Sequence, residues 1–250
     1  MLSKRIIPCL DVDDGVVMKG CNFTQLKKVG DPVELAEFYY RENADELIFL
    51  DIGASWKNRQ TTLNIVENIS KKVFIPLTVG GGIRNIDDIR RALLAGADKV
   101  SFCSAALKNP QLIADAANIF GSQCLVISVD AKRKGNSWNC FINGGRIDTN
   151  LDAIEWAKRC EQLGAGEILL NSIDADGMKS GFDLELTRLV SNSVPIPVIA
   201  SGGAGSPEHL YAALEIGQAD AVLAASILHS ATYSISHIKQ YLTEKGVKVR

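Results

Sequence analysis

Residues 75–84 read IPLTVGGGIR and residues 196–205 read IPVIASGGAG. Each is a short apolar run ending in glycines, and the two stand 121 residues apart. The same spacing recurs elsewhere. ADELIFLDIGA (44–54) and AGEILLNSIDA (165–175) set Glu46 opposite Glu167 at 121 residues, while IPCLDV (7–12) and VISVDA (126–131) set Asp11 opposite Asp130 at 119. The chain therefore reads as two similar halves, about 1–122 and 123–250, within one expected domain.

Each half alternates strand and helix four times. Apolar runs short enough to be buried on both faces of a parallel sheet lie near 5–11, 46–52, 75–80, 98–103, 124–130, 167–172, 197–201 and 220–225. Amphipathic segments fill the intervals at 31–42, 61–72, 85–96, 110–121, 150–164, 183–193, 206–217 and 234–246. Asp31-Pro32, Ser206-Pro207, Asn85 and Asn109 suit helix starts. Gly96, Gly121, Gly164, Gly217 and Gly246 suit helix ends. Eight β/α units in 250 residues specify an α/β protein of the (β/α)8 TIM-barrel class with a two-fold half-barrel repeat. An open doubly wound sheet is the alternative that the same repeat allows.

Composition narrows the chemistry. Lys and Arg number 27 and Asp and Glu 29, so the net charge of −2 carries no footprint for nucleic acid or an anionic membrane. Small molecules and proteins are the expected partners. No apolar run reaches the ~18 residues that span a bilayer, and MLSKRIIPCLD lacks the apolar core of a signal peptide, so a cytoplasmic location is expected. Cysteines at 9, 21, 103, 124, 140 and 160 form no C-x-x-C pair and are expected as free thiols, with no metal or cofactor implied. The three histidines, His209, His229 and His237, all lie in the last quarter. Acid–base work falls mainly to carboxylates.

In a barrel the loops after the strands build the active face, and glycine there lets backbone N–H groups approach an anion. VGGGIR (79–84) and ASGGAG (200–205) follow the third and seventh strands. SFCSAA (101–106) and LAASIL (223–228) follow the fourth and eighth, where Ser226 suits the start of a short extra helix. Glycine after a strand can also do no more than turn the chain. Two related copies on opposite sides of an eight-stranded ring point instead to a ligand carrying a phosphate at each end. The candidate binding set is Lys19, Gly81, Gly82, Ser101, Cys103, Ser104, Asn171, Asp176, Gly177, Ser201, Gly202, Gly203, Ala225 and Ser226.

Asp11 and Asp130 close diametrically opposed strands, each after an apolar run. With a period of two, the Asp11 face carries Cys9, Ile7 and Arg5, and the Asp130 face carries Ser128, Val126 and Cys124. Between two anion sites, opposed carboxylates in different surroundings suit an acid and a base. Pairing with Lys19 or Lys132, or capping the next loop, is the structural alternative. At the opposite end of the barrel, strand starts bring Arg5, Glu46, Lys99 and Glu167 together. Two charges of each sign make either a stabilising plug or a polar gate for a small molecule entering from a docked partner.

KRIIPCLDVDDGVVMKG, FIPLTVGGGIR, GADKVS, FGSQC, VDAKR, GAGEILL, SIDADGMKSGFDLELTR and PVIASGGAGSPEHL, in that order, resemble the cyclase-subunit family of imidazole glycerol phosphate synthase over essentially the whole chain. The resemblance implies a carbon–nitrogen lyase and cyclase of histidine biosynthesis that uses no cofactor. It also implies a glutaminase subunit docked on the bottom face, whose ammonia crosses the barrel to a bisphosphorylated ribulosyl aminoimidazole carboxamide ribonucleotide. By resemblance Asp11 matches the general acid and Asp130 the general base. Gly82, Ser104, Gly203 and Ser226 match phosphate-site positions, and Arg5, Glu46, Lys99 and Glu167 match the ammonia gate.

Several positions depart from the family pattern, and they cluster at the substrate face. Cys103 replaces a usual asparagine, Asn171 a threonine and Gly53 a threonine; Ala175 and Met178 also differ, and ILHSA (227–231) lacks the aromatics common around His229. A thiol hydrogen-bonds more weakly than an amide, so Cys103 is expected to loosen polar contacts there. Two alternatives follow: a paralogue that works with its own amidotransferase on a sugar for surface polysaccharide, and a non-catalytic scaffold barrel. Retention of Asp11, Asp130 and the charged ring speaks against the second.

Overall fold

The computed structural model of the chain describes residues 3–21, 24–56 and 61–250. The first half runs β1 (Arg5–Asp13), β2 (Val16–Cys21), β3 (Thr24–Gly30), α1 (Pro32–Arg41), β4 (Leu47–Asp51), α2 (Ile52–Trp56), α3 (Leu63–Ser70), β5 (Leu77–Gly80), α4 (Ile86–Leu94), β6 (Lys99–Phe102), α5 (Ser104–Lys108) and α6 (Gln111–Phe120). The second runs β7 (Leu125–Lys134), β8 (Ser137–Ile142), β9 (Ile147–Asp152), α7 (Ala153–Gln162), β10 (Glu167–Ser172), α8 (Leu184–Ser191), β11 (Val198–Ser201), α9 (Pro207–Glu215), β12 (Ala221–Ala224), α10 (Ser226–His229) and α11 (Ile235–Glu244).

Eight of these strands pair in parallel in the order β1-β4-β5-β6-β7-β10-β11-β12, and β12 pairs back with β1, closing a (β/α)8 barrel. The open doubly wound alternative is thereby excluded. All eight expected strands form, because each apolar run is buried toward both the barrel axis and the helices. Alternation then splits the core in two. Ile7, Cys9, Ile48, Val126, Leu169, Ile199, Ala221 and Leu223 make the inner cluster, while Ile6, Leu10, Phe49, Val79, Ile127 and Ile168 join the larger layer between strands and helices.

A repeated polar device sets the strand starts. Asp45, Asp98 and Asp220, each preceding a strand, accept the backbone N–H of Ile6, Leu77 and Val198 at 2.8, 2.9 and 3.0 Å. Helix starts follow the sequence signals as well: Asp31 accepts from Val33 N and Glu34 N ahead of Pro32, and Asn85 accepts from Asp88 N. The helix expected from residue 150 starts later. Asp152 is its N-cap, because residues 147–152 pair as β9. At the end of α9 it is Gln218, with φ +59, that turns left-handed rather than Gly217.

Two hairpins extend the barrel, one in each half. β2 and β3 continue β1, and β8 and β9 continue β7, all antiparallel. Both therefore rise from the strands that carry Asp11 and Asp130. Gly135 (φ +60) and Asn143 (φ +56) take the left-handed conformations that tight hairpins require.

Candidate active site

At the bottom of the barrel the four charged strand starts meet. Arg5 Nη1 lies 2.7 Å from Glu46 Oε1 and 3.2 Å from Glu167 Oε2, and Lys99 Nζ lies 3.1 Å from Glu46 Oε2 and 2.6 Å from Glu167 Oε1. Each cation bridges both anions. Burial weakens the Arg5 charge, and the two glutamates outweigh it, holding its pKa above the ordinary value. Buried charges persist only when matched this closely. Above the ring the inner apolar cluster fills the barrel.

At the opposite end Asp11 and Asp130 turn inward, on strands four places apart in the ring of eight. Neighbouring strands place Leu50 beside Asp11 and Asn171 beside Asp130, with Ser201 next to Asn171. Asp11 accepts from the Cys9 thiol at 3.4 Å, and Asp130 accepts from Asn171 Nδ2 at 3.4 Å. Burial raises the Asp11 pKa to about 7, with the Asp176 charge adding and the Cys9 thiol opposing. Burial also raises Asp130, to about 6, with Asn171 donating to the carboxylate against it and the Asp176 charge adding to it. Asp176, in the turn after β10, thus reaches toward both carboxylates. Burial is the largest cause at both, and their hydrogen-bonding neighbours differ, Cys9 at Asp11 and Asn171 at Asp130.

The glycine motifs occupy matching places. Gly81 (φ +83) passes so close beneath Asp51 that a Cβ would stand 2.1 Å from its carbonyl oxygen. Gly203 (φ +107) would meet the Gly181 carbonyl oxygen at 2.0 Å. A side chain fits at neither. Gly82 and Gly202 share the left-handed backbone, as does Gly177 in the loop after β10. Next to each motif a strand ends in a short helix with nearly the same entry geometry: Cys103 (φ −114, ψ −76) before Ser104, and Ala225 (φ −125, ψ −73) before Ser226. No side chain caps either entry. The helix expected at Ser226 therefore has a twin at Ser104. Thr61 covers the first motif by donating to Gly81 O, and Gly181 N covers the second by donating to Gly203 O at 2.9 Å.

Of the expected binding residues, Ser101 is 2% exposed and its hydroxyl has no hydrogen-bond partner among the described residues. Ser104 accepts the Asn143 N–H at 3.0 Å, so the tip of the β8–β9 hairpin is tied to the first motif. Cys103 faces Asp130 and donates to Phe141 O at 3.6 Å, in place of the stronger contact an amide would make. Lys19, on β2, comes close enough to His229 for its charge to bear on that ring. Five cysteines are free thiols; Cys21 lies outside the residues whose side chains are described. Sequence reading missed both hairpins, although Asp14-Gly15 and Asn143-Gly144 are strong turn signals. It also missed the bond from Tyr39 OH to His229 Nδ1, 2.6 Å long, which joins residues 190 positions apart. Among the described residues no helix is long and apolar enough to cross a membrane.

A family model described as "Histidine biosynthesis protein" matches residues 5–234. The imidazole glycerol phosphate synthase subunit HisF of Dehalococcoides mccartyi is 61% identical over 250 residues, covering 100% of this chain and 99% of the relative. The subunit of the same name from Clostridium botulinum is 59% identical over 252 residues, covering 100% of both chains. The chain belongs to the histidine-biosynthesis protein family, as a cyclase subunit of imidazole glycerol phosphate synthase.

Proposed function

We propose that this chain closes the imidazole ring of imidazole glycerol phosphate with Asp11 as general acid and Asp130 as general base. The two glycine motifs, with Ser104 and Ser226, hold the terminal phosphates of a ribulosyl aminoimidazole carboxamide ribonucleotide, which spans the mouth. Ammonia released by a glutaminase subunit on the bottom face passes the ring of Arg5, Glu46, Lys99 and Glu167 and emerges beside the carboxylates. Addition of ammonia to a carbonyl requires a proton taken from nitrogen and a proton given to oxygen. The carbonyl oxygen leaves as water, and the nitrogen now bonded there closes the ring on the formimino carbon as that carbon's bond to the aminoimidazole carboxamide ribonucleotide breaks, releasing the second product.

The observation that carries this reading is the placement of two buried carboxyl groups on opposed strands at the same end of the barrel. Burial raises both toward neutrality, the range in which a carboxyl group can either accept or give a proton. The relatives of about 60% identity carry the histidine-pathway name, and no described contact favours a polysaccharide-linked role.

Rescue of a histidine auxotroph lacking the cyclase tests the pathway. Asp11→Asn and Asp130→Asn are each expected to abolish turnover with ammonium salt while bisphosphate binding persists. Near-normal turnover in both variants refutes the assigned roles. Failure of the soluble wild-type chain to rescue refutes the pathway.

A further inference from the structure

Tyr39, on α1, is 1% exposed, and its hydroxyl shares a 2.6 Å hydrogen bond with His229 Nδ1, the rings 5.8 Å apart. Burial raises the phenol pKa, so the hydroxyl keeps its proton. Nδ1 accepts from it in the tautomer with the ring proton on Nε2 and donates to it in the other. That Nε2 is buried, with no hydrogen-bond partner among the described residues. Burial brings the His229 pKa down to about 4, the Lys19 charge acting the same way and the Cys9 carbonyl against it. The ring is therefore neutral across the physiological range, although it lies beside the binding face.

His229 ends α10, the four-residue helix that begins at Ser226. The two residues are three apart, so they share a helix face, and a helical side chain leans toward the amino end. A helix of one turn has little stability of its own. Ala225 and Ser226 depend on outside contacts to hold their backbone beside the second glycine motif, whose strand pairs with theirs, and Tyr39 supplies a short polar one through His229. Resting on the proposed phosphate role of that motif, we propose that Tyr39 and His229 are a positioning pair for the second anion site. The phenol hydroxyl ties α10, and with it Ala225 and Ser226, to α1. Keeping the ring uncharged also leaves Lys19 without a competing cation at its side.

Three variants test the pair: Tyr39→Phe deletes one oxygen, His229→Leu deletes both ring nitrogens, and His229→Asn keeps an acceptor near the place of Nδ1. With ammonium salt as nitrogen donor, Tyr39→Phe and His229→Leu are expected to raise KM for the bisphosphate roughly five- to twentyfold, with kcat within about twofold. His229→Asn is expected to stay within about threefold of the wild-type KM, and the Tyr39→Phe/His229→Leu double variant to be no worse than His229→Leu, since both act through one bond. Titration calorimetry with inorganic phosphate is expected to give two sites in the wild type, one of them weakened about fivefold or more in Tyr39→Phe. An unchanged KM and phosphate profile in Tyr39→Phe, a loss confined to kcat, or a His229→Asn variant as impaired as His229→Leu overturns the pair. Should His229→Leu not fold, Tyr39→Phe decides. A wild type that binds phosphate at two sites without turning over the bisphosphate overturns the proposed reaction instead, and the calorimetric comparison still judges the pair.

Discussion

Asn171 Nδ2 donates to Asp130 Oδ1 at 3.4 Å, and Ser201 Oγ donates to Asn171 Oδ1 at 3.2 Å. Three adjacent strands supply the chain Ser201, Asn171, Asp130, so the second glycine motif and the base candidate are mechanically joined. Asn171 stabilises the ionised form of Asp130 against its burial. Asp176 and Cys103 are the other groups that bear on the same carboxylate.

A pH profile follows from the two carboxyl groups. Expressed per free ammonia, kcat/KM is expected to rise with ionisation of Asp130 near 6 and to fall with deprotonation of Asp11 near 7. Asn171→Leu removes a donor to the charged form, so the acid limb is expected to move up by about half a unit or more while the alkaline limb stays. An unmoved acid limb in that variant separates Asn171 from Asp130.

The same burial costs stability. Both carboxyl groups titrate above the ordinary aspartate value of 3.8, so the stability they contribute is complete below about pH 4. It is lost as pH rises through about 6 for Asp130 and about 7 for Asp11. Asp11→Asn, neutral throughout, is expected to raise Tm at pH 8 by roughly 2–6 °C, a gain that shrinks as pH falls and vanishes near pH 4. Melting curves at the two pH values check this; an equal Tm shift at both shows that ionisation of Asp11 is not its source.

Gly203 has no room for a side chain. Gly203→Ala forces a methyl against the Gly181 carbonyl oxygen in a left-handed backbone. The expected cost is about 1–3 kcal/mol, with loss of one of the two phosphate sites. Denaturant unfolding and phosphate titration together check it. A variant of wild-type stability that still binds two phosphates shows that the loop after β10 yields.

The barrel was legible because its signals are local. Eight apolar runs and caps such as Asp31-Pro32 and Asn85 act within a few residues, and the spacing of Glu46 from Glu167 carried the symmetry directly into the charged ring. The hairpins were harder: β3 and β9 are polar on much of their length, as TQLKKVG and IDTNLD show, so they lack the apolar run that marks the barrel strands. At one turn each, α2 and α5 are too short for any helical period to appear. Asp11 and Asp130 were found because strand alternation tells inside from outside. The contact of Tyr39 with His229 depends on how α1 packs against α10 across the closed ring, which no local pattern encodes.

Lys99 offers the sharpest test of the charged ring. It bridges Glu46 and Glu167, and without it the two glutamates share Arg5 alone, at 2.7 and 3.2 Å. Lys99→Met keeps the volume of the stem but leaves a net negative charge among largely buried side chains. The stability cost is expected to be roughly 1–3 kcal/mol. If the ring gates ammonia, the effect on catalysis depends on the route by which ammonia arrives. In the complex with a glutaminase, glutamine-driven turnover is expected to fall about tenfold, while turnover driven by ammonium salt, which reaches the open mouth from solvent, stays within about threefold. Equal losses on the two routes show that the four charges brace the strand starts and play no part in passage.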